Sequence, residues 1–220
     1  NAIFKTNGHE VIYCEHPPDV AYDLVLMATS IIGASEERVA AKVIKEKFPT
    51  TNIGFFGAFA SVDVDEFLRV GDFVIQGEPE QLCQELAKGL IFPEGLVVSE
   101  QIKDLDNLPN PDYRGFPVSD YSYAPLLKNR PFLPITTSRG CPYDCFYCPY
   151  MVNQGKYFRK HSVLRVIEQI EECIRYHNIN SILFRDIVFT INKKRTRELC
   201  ELIIDKNIKI QWGCETRIDC

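Results

Sequence analysis

Three cysteines within eight residues constrain this chain more than any other feature: Cys141, Cys145 and Cys148 in Thr137-Ser-Arg-Gly-Cys-Pro-Tyr-Asp-Cys-Phe-Tyr-Cys-Pro149. Thiolates are ligands for iron–sulfur clusters and zinc, and a short loop carrying three of them can hold three corners of a cubane and leave the fourth iron open. A structural zinc site wants four protein ligands and usually pairs its cysteines twice over, which a lone trio does not supply. A buried helical stripe is the third reading, because positions 141, 145 and 148 would share one helix face. Gly140, Pro142 and Pro149 favour a loop instead.

The pattern C-x-x-x-C-x-aromatic-C, here Cys141, Cys145, Tyr147 and Cys148, resembles the signature of the radical S-adenosylmethionine (radical SAM) superfamily. The resemblance implies a 4Fe-4S cluster on the three cysteines, with the open iron chelated by the amino and carboxylate groups of S-adenosylmethionine. It further implies reductive cleavage of the sulfonium by one electron from an external donor of the flavodoxin or ferredoxin type. Tyr147 then occupies the superfamily's aromatic position near the adenine.

Net charge is −5, from 25 Lys and Arg against 30 Asp and Glu, so there is no electrostatic footprint for nucleic acid or an anionic bilayer. A small-molecule substrate suits this balance better. No apolar run approaches membrane-spanning length and no signal segment opens the chain. Nine cysteines, odd in number and unevenly spread, fit a reducing compartment better than a disulfide framework. These features point to a soluble, cytoplasmic protein. Cys14, Cys83, Cys173 and Cys200 sit in apolar patterns and are read as core.

Residues 1–92 alternate strand and helix patterns: strands over 9–14, 22–28, 52–56 and 72–75, and helices over 36–48, 64–70 and 79–88. Such alternation predicts a doubly wound parallel sheet, Rossmann-like, with its first strand upstream of Asn1. Ligands of these sheets sit at the carboxyl ends of the strands, here Thr29, Ser30, Gly57, Gly77 and Glu78. Taken together these motifs resemble the cobalamin-binding domain of the B12-binding radical SAM subfamily, which implies that the five residues face cobalamin. An Asp-x-His-x-x-Gly loop, the source of a cobalt-binding histidine in related cobalamin proteins, is not found. His9 and His16 are read as surface or turn residues.

Residues 93–131 form a Pro-rich linker: seven of the 13 prolines fall between Pro93 and Pro134. That density excludes a long helix or a central strand. The tyrosines at 113, 121 and 123 are expected to pack on a neighbouring domain. The string Asp104-Leu-Asp-Asn-Leu-Pro-Asn-Pro-Asp-Tyr113 also resembles the subfamily's connector.

Residues 132–220 read as the first half of a parallel βα barrel: strands over 132–137, 181–184 and 208–212, helices over 162–176 and 193–206. Radical SAM barrels usually hold six such units, and the chain begins with Asn1, so it reads as part of a longer protein. Residues just beyond the second and third barrel strands, Asp186, Glu215 and Arg217, are expected to face the cluster. Arg217 could pair with the S-adenosylmethionine carboxylate, and the acids could accept from its ammonium or ribose. Lys193, Lys194, Arg195 and Arg197 crowd a helix start and are read as a solvated face rather than an anion site.

The leading function is a radical SAM enzyme with cobalamin, catalysing methyl transfer or a radical cyclisation or rearrangement. An electron-transfer module would instead take Cys214 or Cys220 as a fourth ligand, and a zinc-stabilised interaction module would use His161.

Overall fold

A computed structural model describes residues 1–89, 91–124 and 126–220. Two compact units form: Asn1–Ile102 with Tyr143–Lys156, and Lys103–Pro142 with Tyr157–Cys220.

In the first unit, helix α1 (Ala2–Thr6) precedes a fully parallel sheet of β1 (Leu24–Ala28), β2 (Asn52–Phe56), β3 (Phe73–Gln76) and β4 (Gly95–Val98). The strands lie in chain order. Helices α2 (Ala34–Lys47), α3 (Val64–Leu68) and α4 (Glu80–Gly89) connect them. Strand side chains alternate between two cores, as the period of two requires. Val25, Met27, Ile53, Phe55 and Val74 pack with α2 and α3, whereas Leu24, Leu26, Phe73 and Ile75 pack with α1 and α4. Covering both faces removes the strands from water, and each fully buried Phe or Ile contributes roughly 1.5–3 kcal/mol.

The strand predicted over 9–14 does not form; those residues are irregular. Its position is held from elsewhere, because His9 Nε2 donates to the Ala87 carbonyl at 2.7 Å and its ring meets the edge of Phe4. Cys14 is exposed, which corrects its reading as core, while Cys83 and Cys173 are buried. Burial pushes both of those thiols up to about 12.

The second unit is built on a parallel sheet in the order β5 (Phe132–Ile135), β8 (Ser181–Phe184), β9 (Gln211–Cys214). Helices α6 (Val163–His177) and α7 (Lys193–Asp205) connect its strands. The Ser162 hydroxyl caps α6 by accepting from Arg165 N at 3.2 Å, and Asn178 closes it in the left-handed region at φ 49°. A two-residue ribbon of β6 (Ser138–Arg139) and β7 (Arg159–Lys160) pairs antiparallel. Between these short strands in the chain, α5 (Tyr150–Gln154) belongs to the first unit.

The Pro-rich segment is not a free-standing connection. Gly95–Val98 is the edge strand β4, and Lys103–Pro142 belongs to the second unit. Val118 is in that unit's core, with Tyr113, Phe116 and Tyr121 packed against it. The Tyr113 hydroxyl donates to the Pro134 carbonyl at 2.8 Å, and the Tyr123 ring lies 5.7 Å from that of Phe132. Pro125, a proline of this segment, lies outside the described residues.

Asp106 ties this segment to α6 by accepting from Ser162 N at 3.0 Å and from His161 Nδ1 at 3.1 Å. Burial lowers the His161 imidazole below its ordinary value, against the pull of Asp106 and with help from Arg139 and Arg165. At neutral pH the contact is therefore a hydrogen bond from a neutral ring. Burial lowers His177 as well. A histidine with a depressed folded pKa stabilises above its unfolded value and loses that stability as pH falls. The unfolding free energy from urea titrations should drop as pH falls below about 6.5, by at most about 1.4 kcal/mol per pH unit for one group. His161→Asn should flatten the curve, and an unchanged slope would exclude His161 as a source.

Candidate functional site

The cysteine loop leaves the carboxyl end of β5, as the strand-then-loop pattern requires. Residues 140–148 contain no helix, so the stripe reading is excluded: Gly140 takes φ +80°, and Cys148 N donates to the Cys145 carbonyl at 3.0 Å in a turn. Cys141 is 7% exposed, and Cys145 and Cys148 are half-buried. Cys141 belongs to the second unit and Cys145 and Cys148 to the first. Among the described residues no disulfide forms, and no group of three His, Cys, Asp or Glu side chains is close enough to hold a metal ion. What fits a cluster is the donor set itself, three thiols on an irregular loop with no disulfide to break. Tyr147 is 76% exposed and packs edge-on against Phe146, itself 99% exposed.

Asp186 follows β8. It is fully buried, and its carboxylate accepts from Thr137 N at 2.6 Å, Thr137 Oγ1 at 2.5 Å and Ser138 N at 2.7 Å. Its Oδ1 is thus taken up by two backbone amides and its Oδ2 by the Thr137 hydroxyl. Burial raises its pKa, while Thr137, Ser138 and Arg195 pull the other way.

Arg195 was not legible as a site residue. It is 5% exposed and donates from Nη1 to Thr137 Oγ1 at 3.0 Å and from Nη2 to the Thr137 carbonyl at 3.1 Å. Lys193, Lys194 and Arg197 are exposed, so the solvated-face reading holds for them and fails for Arg195. A signal was present, because Arg195 shares the i, i+4, i+8 face of buried Leu199 and Ile203.

Glu215 and Arg217 lie beyond the carboxyl end of β9, as expected. Glu215 pairs with Arg185, and Arg217 grips Asp219 through Nε at 2.9 Å and Nη2 at 2.8 Å. An S-adenosylmethionine carboxylate at Arg217 would have to displace Asp219.

In the first unit Thr29, Ser30, Gly57 and Gly77 follow the carboxyl ends of β1, β2 and β3. The Thr29 hydroxyl donates to the Phe56 carbonyl and accepts from Ala60 N, both at 3.0 Å. Ser30 Oγ accepts from Gly33 N at 3.0 Å ahead of α2. Gly57 sits at φ +119°, and an added Cβ would lie 2.6 Å from the Thr29 carbonyl oxygen, so only glycine serves there. Glu78, after Gly77, is 2% exposed.

No protein-family model matches the chain. A sequence described as an uncharacterised methyltransferase of Pyrococcus horikoshii is 33% identical over 165 residues, covering 67% of this chain and 35% of that protein. The anaerobic magnesium-protoporphyrin IX monomethyl ester cyclase of Rubrivivax gelatinosus is 26% identical over an alignment of 225, covering 91% and 39%. The structure of TsrM from Kitasatospora setae, a radical S-adenosylmethionine methyltransferase with cobalamin and a 4Fe-4S cluster bound, superposes with a TM-score of 0.60. It is 12% identical and covers 86% of this chain and 42% of that one. In sequence the chain is similar to methyltransferases and cyclases, and it shares its fold with the TsrM structure. It spans well under half the length of the curated relatives it matches. No described helix is long and apolar enough to cross a membrane.

Proposed function

We propose that this chain carries the cofactor-binding part of a radical SAM enzyme that performs methyl transfer or a radical cyclisation or rearrangement on a small-molecule substrate. The observation that carries the reading is the Cys141/Cys145/Cys148 trio delivered from the carboxyl end of β5 in a parallel α/β sheet, the end where such folds do their chemistry. A bound 4Fe-4S cluster would supply the electron for reductive cleavage of S-adenosylmethionine, and cobalamin a methyl-carrying or electron-transferring partner.

The chain's own residues supply position. Cys141, Cys145 and Cys148 would hold the cluster, which would supply a binding site for S-adenosylmethionine. Tyr147, exposed beside Cys148, offers an aromatic face to the adenine. Glu215 and Arg217 are within the segment that could orient the methionyl and ribose groups, in exchange for their present partners Arg185 and Asp219. Thr29, Ser30, Gly57 and Gly77 form the edge on which cobalamin would rest. Electrons would come from a flavodoxin- or ferredoxin-type donor in the cytoplasm, and the net charge of −5 offers nothing to nucleic acid.

The test is spectroscopic. Added S-adenosylmethionine should change the electron paramagnetic resonance signal of the reduced full-length protein, and dithionite turnover should release 5′-deoxyadenosine. The same protein, reconstituted with hydroxocobalamin and desalted, should retain corrinoid. An unchanged signal, with the three cysteines as sole ligands, would favour a non-catalytic electron-transfer module instead.

A further inference from the structure

Thr137 is the last residue before β6 and the cysteine loop, and every polar atom it owns is engaged inside the second unit. Its N–H and hydroxyl donate to Asp186. Its carbonyl accepts from Arg195 Nη2 at 3.1 Å and from His161 N at 3.0 Å. Its hydroxyl oxygen also accepts from Arg195 Nη1, so one hydroxyl relays between a buried guanidinium and a buried carboxylate. The next amide, Ser138 N, donates to the same Asp186 oxygen that takes Thr137 N, at 2.7 Å. Two consecutive peptide planes are thereby fixed, and β6 then pairs with β7 through Ser138↔Lys160 and Arg139↔Arg159. Gly140 turns the chain at φ +80° and Cys141 follows, buried.

Stability alone is a poor reason for such an arrangement. Each buried charge loses its hydration, and well-packed apolar replacements of buried ionic sets are often neutral or stabilising. What apolar residues cannot do is aim two backbone N–H groups. We propose that Asp186 and Arg195, acting through Thr137, are positioning residues that set the path of the chain into the cysteine loop and hold Cys141 in register for the cluster. This rests on the reading that the loop carries the cluster, whereas the clamp is made of protein atoms alone.

Alkylation of the metal-free chain by iodoacetamide, followed residue by residue by mass spectrometry under anaerobic conditions, tests it. Asp186→Asn keeps the shape and removes the charge. It should speed labelling of Cys141 by about tenfold or more, the change in local opening expected when charge-assisted bonds are lost. Cys173, buried in the same unit's core, should stay protected. Thr137→Val should act like Asp186→Asn, and Thr137→Ser should restore the slow rate. Wild-type labelling of Cys141 in Asp186→Asn overturns the inference. Should Cys173 label faster in step with Cys141, the variant has unfolded and the Thr137 pair decides: no difference between Val and Ser overturns the inference equally. Failure of the wild type to take up iron would sink the cluster reading while leaving this labelling result to stand or fall by itself.

Discussion

Cys145→Ala is expected to leave the anaerobically reconstituted protein colourless, with the complement of about four irons of the wild type lost. Each protein-bound iron of a cubane needs its own thiolate, and a methyl group offers no lone pair. Cys83 and Cys173 cannot take its place, because they are buried in two separate cores and burial holds both as neutral thiols. The fold should not notice the change: Cys145 is half-buried in an irregular loop, where substitutions usually stay within about 0.5 kcal/mol. Iron and zinc analysis beside a thermal melt reads both effects. Full iron retention in Cys145→Ala would remove the residue from the ligand set, and zinc without iron in the wild type would replace the cluster by a zinc-stabilised module.

The elements legible in the sequence are those whose signal is local. Val163, Ile167, Ile170 and Ile174 recur on one face of a segment capped by Ser162, and α6 forms there. The runs 52–56 and 181–184 became β2 and β8 because both faces of each strand are covered. The run 9–14 has a similar composition and forms no strand, since a strand exists only through its neighbour and β1 pairs with β2 alone among the described strands. In the site, the cysteine spacing was readable because it lies in eight consecutive residues. Asp186 and Arg195 were not, because their partner Thr137 is 49 and 58 positions away. A local pattern places Asp186 after a strand but cannot say that it turns inward to hold the end of another one.

Phe184→Ala is expected to cost the second unit roughly 3–5 kcal/mol, a large part of the 5–15 kcal/mol typical of a whole domain. The ring is fully buried, stacks on Phe189 at 4.7 Å between centroids with 15° between planes, and meets Trp212 edge-on at 5.5 Å. Truncation removes its apolar surface and both aromatic contacts, and leaves a cavity between β8 and its neighbours that the paired strands Ile135↔Phe184↔Cys214 cannot close by collapsing. Because Asp186 is only two residues on, the same loss should loosen the carboxylate that holds Thr137 and Ser138. Phe184→Leu keeps most of the volume and should cost about half as much or less. Urea denaturation read by fluorescence of Trp212, the one tryptophan in the chain, reports directly from the affected core. A change below about 1 kcal/mol for Phe184→Ala would mean that this ring does not anchor β8, and the cluster loop would then owe its placement to the Asp186 clamp alone.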